Sequence, residues 1–127
     1  MQMRLELIPL PCSDVDVAKD FYVTRVGFHL DHDVSPGNGM RVVQLTPPGS
    51  ACSIVIGTGM LPPGAAPVGG IHLVVDDIQA ACAELRGRDV DVSEPYSVGG
   101  GISYAHFADP DGNSWTLQQI DRGAGGQ

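Results

Sequence analysis

Hydrophobic and polar positions along the first half of the chain predict one helix among four strands. Hydrophobic residues recur at helical spacing over 14–26, which predicts a helix with one buried face. Ser13 or Asp14 is the expected N-cap, and Gly27 is the expected end of this helix. The extended segments around it are predicted as strands at 4–10, 28–34, 40–45 and 52–56. The resulting order is βαβββ.

The same order returns in the second half. Residues 57–70 contain five glycines and three prolines, a composition typical of a linker. A second helix is expected to begin after Asp76 and Asp77, with Gly87 as its C-cap. Its neighbouring strands are predicted at 71–75, 90–93, 103–108 and 114–120.

A shift of 63 residues superposes the two sets. Asp14 then matches Asp77, and the turn residue Pro47 matches Pro110. This register predicts a duplicated supersecondary unit. We therefore expect a single domain over 1–127, with the first module at 4–56, the linker at 57–70, the second module at 70–120 and a disordered tail at 121–127.

Composition and charge narrow the possible partners. The 127 residues include 7 Lys and Arg against 15 Asp and Glu, a net charge of −8, so phosphate backbones and anionic membranes are poor partners. No apolar run approaches the roughly 20 residues that cross a bilayer. The N-terminus lacks an apolar leader, and the three cysteines have no CxxC spacing. We expect a cytoplasmic protein with reduced, buried cysteines.

Three segments carry a resemblance to a known family. They are FADPDGNSWTLQ at 107–118, DVDVAKDFY at 14–22 followed by VGF at 26–28, and GIHLVVDDI at 70–78. Together they resemble the glyoxalase/bleomycin-resistance/extradiol-dioxygenase superfamily, also called the vicinal oxygen chelate superfamily. The resemblance implies an α+β fold of two βαβββ modules whose sheets curl around a cleft, usually in a homodimer.

The resemblance also indicates where metal-dependent members hold a divalent ion. Carried over by position, the four ligand sites fall on Leu7, Ser53, Gly70 and Thr116, with Ile54 as the other candidate for Ser53. None of these residues offers a carboxylate, an imidazole or a thiolate, which are the donors such ions need. We therefore predict neither a metal nor another cofactor.

Strand alternation predicts which side chains line the cleft, because residues two apart share a face. In the second module, Gly70, His72, Val74, Tyr104, His106, Ser114, Thr116 and Gln118 are expected to face inward. In the first module, the expected set is Leu5, Leu7, Pro9, Arg41, Val43, Ser53 and Val55. From these, the candidate ligand-binding residues are Leu7, Arg41, Ser53, His72, Tyr104, His106, Thr116 and Gln118. Apolar walls with a few polar groups are typical of a small-molecule pocket.

Other polar motifs have structural interpretations. His29 and His32 are three apart on a predicted strand, so they are expected on opposite faces and not at a metal site. The segment 109–112, DPDG, is expected to be a hairpin turn, not a calcium loop. The glycines at 99–101 precede a strand, so they are interpreted as a flap over the cleft and not as a phosphate loop.

Three functions remain open at this point. The first is metal-independent binding of a small, partly aromatic molecule, as in the resistance proteins that sequester a drug. The second is an enzyme that uses His106 or His72 as a general acid or base, with Tyr104 or Gln118 orienting a carbonyl. The third is a relocated metal site that uses His72 and His106. Whether the protein is an enzyme stays undecided on sequence alone.

Overall fold

The computed structural model describes residues 1–121 and contains two mixed four-stranded sheets. The first sheet has the strand order β1-β4-β3-β2, and the second has the order β5-β8-β7-β6. The elements are β1 (Leu7–Pro9), α1 (Val15–Asp20), a π-helical continuation of α1 (Phe21–Val26), β2 (His29–Gly37), β3 (Met40–Thr46), β4 (Ser53–Thr58), β5 (Ile71–Val74), α2 (Ile78–Gly87), β6 (Tyr96–Gly99), β7 (Ile102–Ala108) and β8 (Ser114–Ile120). The predicted α+β fold of two βαβββ modules is confirmed.

Two compact units divide between Pro67 and Val68, inside the segment predicted as a linker. That segment begins later than predicted, since β4 continues through Gly57 to Thr58. Of the predicted tail at 121–127, every residue after Asp121 lies outside the described residues. Neither α1 nor α2 has the length and apolar character needed to span a membrane, and no other helix in 1–121 does.

The first helix begins and ends where its sequence predicts. The Asp14 carboxylate accepts a hydrogen bond from the Val17 N–H at 3.1 Å, so it satisfies one of the unpaired donors of the first turn. At the other end, Gly27 adopts φ 92°, a left-handed conformation that favours glycine. The Gly27 and Phe28 N–H groups both donate to the Tyr22 carbonyl, which widens the last turn into a π-helix.

The second helix corrects the predicted role of Gly87. Asp77 is the N-cap and accepts from the Ala80 N–H at 3.0 Å. Gly87, however, is the last helical residue, and the left-handed conformation falls two positions later, at Asp89 with φ 64°. The Val90 N–H then returns to the Leu85 carbonyl at 2.9 Å. An aspartate tolerates this conformation better than most side chains, so the helix can end without a glycine.

The strand predicted at 90–93 is wrong. Val90 and Val92 are buried, which explains the alternating pattern, but this stretch has no strand pairing. The third strand of the module is instead β6, paired with β7 through Tyr96 opposite Tyr104. The glycines at 99–101, interpreted as a flap, form the turn of this hairpin, and all three have positive φ.

The core of each unit lies between its helix and one face of its sheet. In the second unit, Ala105, Phe107, Trp115 and Leu117 are all buried, and the Phe107 and Trp115 rings stack at 6.2 Å. In the first, the buried face consists of Val43, Leu45, Ile54 and Ile56. The opposite, helix-free face of each sheet is therefore the face left for chemistry.

The two modules are not related by one uniform shift. Ile8 pairs with Ile54, while its counterpart 63 residues later, Ile71, pairs with Trp115. Ile54 therefore corresponds to Trp115, an offset of 61. The β7–β8 loop at 109–113 is one residue shorter than the β3–β4 loop at 47–52, which accounts for part of the change. The gap-free register expected from sequence holds for the first strand and the helix, but not for the last strand.

Candidate functional site

The helix-free face of the second sheet brings together most of the predicted site. Thr116 pairs with both His72 and His106, and Tyr104 pairs with Gln118. Residues paired directly across strands have side chains on the same face, so these five share one surface. The predicted common face is confirmed for this module, whereas a binding role for the residues remains a prediction.

His106 is held from both sides on this face. Its Nε2 lies 2.6 Å from the Tyr96 hydroxyl, and its Nδ1 lies 3.0 Å from the Thr116 hydroxyl. Both ring nitrogens are therefore occupied by protein partners. The Ser93 hydroxyl also accepts from the His106 backbone N–H at 2.9 Å, which ties the preceding loop to β7.

Tyr96 is a site residue that the sequence interpretation missed. The strand assigned to 90–93 left Tyr96 in a loop, although Tyr96-Ser97-Val98 and Ser103-Tyr104-Ala105 flank the glycines at 99–101 as the arms of a hairpin would. Two short polar-apolar segments around glycines are a hairpin signal. If this hairpin signal is preferred to the alternating pattern at 90–93, β6 pairs with β7 and Tyr96 lies opposite Tyr104.

His72 has a different environment from His106. Its Nδ1 lies 2.7 Å from Gln118 Oε1, and this amide oxygen only accepts, so Nδ1 carries the proton. In the neutral ring, Nε2 then has a lone pair, and no described residue bonds to it. The imidazole is exposed and contacts the Tyr104 ring edge-to-face, with centroids 5.5 Å apart.

Aromatic and apolar groups extend this surface. The Tyr96 and Tyr104 rings are T-shaped at 6.1 Å, and Tyr96 is 46% exposed. Val74, which pairs with Gln118 on the same face, is 64% exposed. Exposed rings and an aliphatic side chain beside hydrogen-bonding groups suit a flat organic molecule.

The first sheet presents fewer of the predicted residues on its helix-free face. Leu7 pairs with Ser53, and Pro9 pairs with Val55, so these four share it. The Ser53 hydroxyl is buried and lies 2.6 Å from the Thr46 hydroxyl, whose own proton goes to the Asp31 carboxylate. Ser53 therefore donates to Thr46 and is already engaged within the protein.

The predicted orientation of Arg41 and Val43 is wrong. Val43 pairs with Ile56 and Arg41 with Thr58, which places both on the face of the buried Ile56 and not on that of Val55. Arg41 confirms this by a 2.9 Å ion pair with Asp16 of α1. The register of β3 with β4 depends on the loop between them, so strand alternation alone does not determine the face on which Arg41 and Val43 lie.

Arg41 instead belongs to an ion-pair network between helix and sheet. Its guanidinium binds the Asp33 carboxylate through two nitrogens, at 3.0 and 2.8 Å, and Lys19 reaches the same carboxylate at 2.8 Å. Hydrogen bonds from Arg41 and Lys19 hold the pKa of the Asp33 carboxyl well below its usual range. Asp33 and Asp16 in turn raise the pKa of the Arg41 guanidinium.

Asp33→Asn is expected to lower the free energy of unfolding at pH 7 by about 1 kcal/mol, the upper range for a partly exposed pair. A carboxyl whose folded pKa is depressed stabilises the fold above its unfolded pKa, and that contribution is lost as pH falls. The difference between wild type and Asp33→Asn should therefore shrink from about pH 5 downward. Urea unfolding of both proteins at pH 7 and pH 3 measures this difference in the free energy of unfolding. A difference that is larger at pH 3 than at pH 7 would contradict the proposed role of the ion-pair network.

The predicted separation of His29 and His32 is also wrong. A bulge between Leu30 and His32 adds a residue to β2, so that His29 pairs with Thr46 and His32 with Gln44. Those partners are two apart on β3, which places both histidines on one face. Even so, residues 1–121 contain no group of three or more His, Cys, Asp or Glu positioned to hold a metal ion.

The DPDG segment is a hairpin turn, as predicted. The Asp109 N–H donates to the Asn113 carbonyl at 2.9 Å, and the Gly112 N–H donates to the Asp109 carbonyl at 3.0 Å. One Asp109 carboxylate oxygen accepts from the Asp111 and Asn113 N–H groups, both at 2.9 Å. The carboxylate therefore organises the turn between β7 and β8.

With this geometry established, comparison with known proteins identifies the family. Residues 4–117 match the model of the Glyoxalase/Bleomycin resistance protein/Dioxygenase superfamily. The chain belongs to this superfamily. Among curated proteins, it is 27% identical over 123 residues to the "Putative glyoxylase CFP32" of Mycobacterium bovis, covering 93% of this chain and 46% of that protein. The chain thus spans about half the length of the curated relatives it matches.

Several solved structures resemble the chain over most of its length. TnmS3, an antibiotic binding protein from Streptomyces sp. CB03234, is 39% identical with a TM-score of 0.79, covering 94% of this chain and 98% of TnmS3. A glyoxalase/bleomycin resistance protein from the same organism is 41% identical (TM-score 0.74, 91% and 100% coverage). A superfamily member from Sphaerobacter thermophilus DSM 20745 is 31% identical (TM-score 0.81, 93% and 98% coverage).

The observed register revises one of the superfamily's four metal positions. Since Ile54 corresponds to Trp115, the counterpart of Thr116 is Val55, neither Ser53 nor Ile54. The set becomes Leu7, Val55, Gly70 and Thr116, which is still without a charged or basic donor. Gly70 also adopts φ 77°, a conformation that disfavours any ligating side chain. These residues do not fit the divalent ion of the metal-dependent members.

Proposed function

We propose that this protein binds a small, partly aromatic organic molecule on the helix-free face of the second sheet without a metal, and sequesters the molecule unchanged. The observation that carries the proposal is the chemistry of this surface. Two imidazoles, two phenols and an exposed valine lie on this surface, whereas the four superfamily metal positions carry no carboxylate, imidazole or thiolate. Such a surface offers stacking and hydrogen bonds to a flat organic molecule.

The relatives support the binding part of the proposal. TnmS3, at 39% identity over nearly the whole chain, is an antibiotic binding protein. Sequestration without a reaction also agrees with the environments of His106 and Cys82. Both nitrogens of His106 are occupied by hydroxyl groups. Burial raises the pKa of the Cys82 thiol, so that the thiolate nucleophile is scarce at neutral pH.

We propose a cytoplasmic location, together with a homodimeric state of the kind that the superfamily resemblance implies. The buried thiol of Cys82 suits a reducing compartment. Native mass spectrometry of the purified protein measures subunit number and any co-purified ligand in one experiment.

Incubation with a panel of planar aromatic and quinone-like compounds tests the proposed function. We expect at least one to bind and to be recovered with its mass and retention unchanged. Tyr104→Ala should weaken that binding about tenfold, because it removes a ring that stacks with the ligand. Gln79→Ala, an exposed change on α2, is the matched control. No binding by any compound, or equal losses in both variants, would contradict the proposal.

One observation favours a second candidate, an acid-base enzyme. The lone pair on His72 Nε2 is available while Gln118 holds the other side of the ring, which is the arrangement of a positioned general base. A mass or retention change in the recovered compound that His72→Ala abolishes would support catalysis over sequestration.

A further inference from the structure

We infer that the molecule bound on this surface carries an ionisable hydroxyl group, a phenol or an enol, whose proton points at His72 Nε2. The inference rests on the proposed function, and it defines the chemical class of the ligand. It also assigns the central polar contact to His72 and not to His106, the other histidine named from the sequence.

The contact with Gln118 determines which ring nitrogen of His72 carries the proton. Gln118 Oε1 lies 2.7 Å from Nδ1, and an amide oxygen accepts hydrogen bonds without donating any. Nδ1 must therefore be the protonated nitrogen of the neutral ring. Nε2 is left as a pure acceptor, which matches a ligand that donates an O–H and mismatches one that offers only a carbonyl oxygen.

His106 is not available to accept the ligand hydroxyl. The Tyr96 hydroxyl at 2.6 Å and the Thr116 hydroxyl at 3.0 Å occupy its two ring nitrogens. A ligand hydroxyl would have to displace one of these bonds. His72 Nε2 has no partner among the described residues, so a ligand can bond to it without breaking an existing contact.

The aromatic rings beside His72 favour a ligand whose hydroxyl is attached to a ring or a double bond. The Tyr104 ring meets the His72 ring edge-to-face at 5.5 Å, and Tyr96 is 6.1 Å from Tyr104 on the same surface. A flat conjugated group packs against these rings while its hydroxyl reaches the imidazole. Conjugation also makes that hydroxyl more acidic than an alcohol, which strengthens its hydrogen bond to the imidazole.

The tautomer is tested without any ligand. Two-bond proton–nitrogen NMR spectra of the imidazole nitrogens, at a pH where His72 is neutral, should show a protonated Nδ1 in the wild type. Gln118→Leu should remove this preference, since it deletes the acceptor. An Nε2-protonated His72 in the wild type would overturn the inference, whatever the protein binds.

The ligand class is tested at pH 8 with 4-methylphenol and its methyl ether, 4-methylanisole, which has the same ring without the O–H. An unactivated phenol ionises only at about pH 10, so it still carries the proton to be donated. We expect the wild type to bind the phenol about tenfold more tightly, a factor typical of one hydrogen bond. His72→Phe should abolish the preference and retain ether binding, because the ring shape is kept. Gln79→Ala should leave the preference unchanged.

Each remaining outcome is informative. Equal binding of the two compounds by the wild type, or a preference that survives His72→Phe, contradicts the role of His72 and leaves the proposed function standing. Failure of both compounds and of the wider aromatic panel contradicts the proposed function itself. In that case the NMR result still decides the tautomer separately.

Discussion

Gly57→Ala is expected to lower the free energy of unfolding by about 3 kcal/mol or more, the range of severe backbone and packing defects. Gly57 lies in β4 opposite Val42. An added Cβ would clash with the Arg41 carbonyl oxygen, a backbone atom that cannot rotate away. To relieve this clash, the β3–β4 ladder must open, and it lies at the centre of the first sheet.

Gly87→Ala is the matched control. Gly87 is the last residue of α2, and nothing lies within 4 Å of the Cβ it would gain. Alanine favours the helix, so this change should raise the free energy of unfolding by about 0.5 kcal/mol. Urea unfolding of both variants measures the difference. If both substitutions changed the free energy of unfolding by similar amounts, the close approach of the Arg41 carbonyl would not be the reason that position 57 requires glycine.

Asn113→Ala is expected to destabilise the protein by about 3 kcal/mol, because it leaves buried polar groups without partners. Asn113 is fully buried in the turn before β8. Its amide donates to the Asp109 carboxylate at 2.7 Å and accepts from the Val68 N–H at 2.9 Å. Removing the amide weakens both the DPDG turn and the attachment of the segment that precedes β5.

The neighbouring change Ser114→Ala serves as the control for Asn113→Ala. Ser114 is exposed, and its backbone N–H, which bonds to the Val68 carbonyl at 2.9 Å, is unaffected by the substitution. We expect a change within about 0.5 kcal/mol. Thermal and urea unfolding should separate the two variants clearly. If Asn113→Ala were as stable as Ser114→Ala, the DPDGN motif would need an explanation other than its buried hydrogen bonds.

Local patterns in the sequence were sufficient for several features. The caps Asp14 and Asp77 and the turn at Gly27 depend on residues within a few positions of each other, so a single window contains the needed information. The surface formed by His72, His106 and Thr116 also followed from sequence, because β5, β7 and β8 alternate regularly.

Errors occurred where the outcome depended on chain segments that are distant in sequence. A bulge in β2 placed His29 and His32 on one face, and this irregularity exists only in the pairing with β3. Likewise, the orientation of Arg41 depended on the β3–β4 register. The metal position assigned to Ser53 moved to Val55 because the two modules differ in spacing between helix and last strand.

The sequence by itself determined the order of elements in each module, because hydrophobic periodicity is a local property. The three segments that resemble the superfamily implied its fold and the positions of its metal ligands, and the residues at those positions offer no carboxylate, imidazole or thiolate. The tertiary structure decided which histidine is available to a ligand. His106 lies between Tyr96 and Thr116, while His72 bonds to Gln118 through Nδ1 and keeps Nε2 open. Hydrogen bonds between side chains far apart in the chain set that difference, and no pattern along one strand contains it.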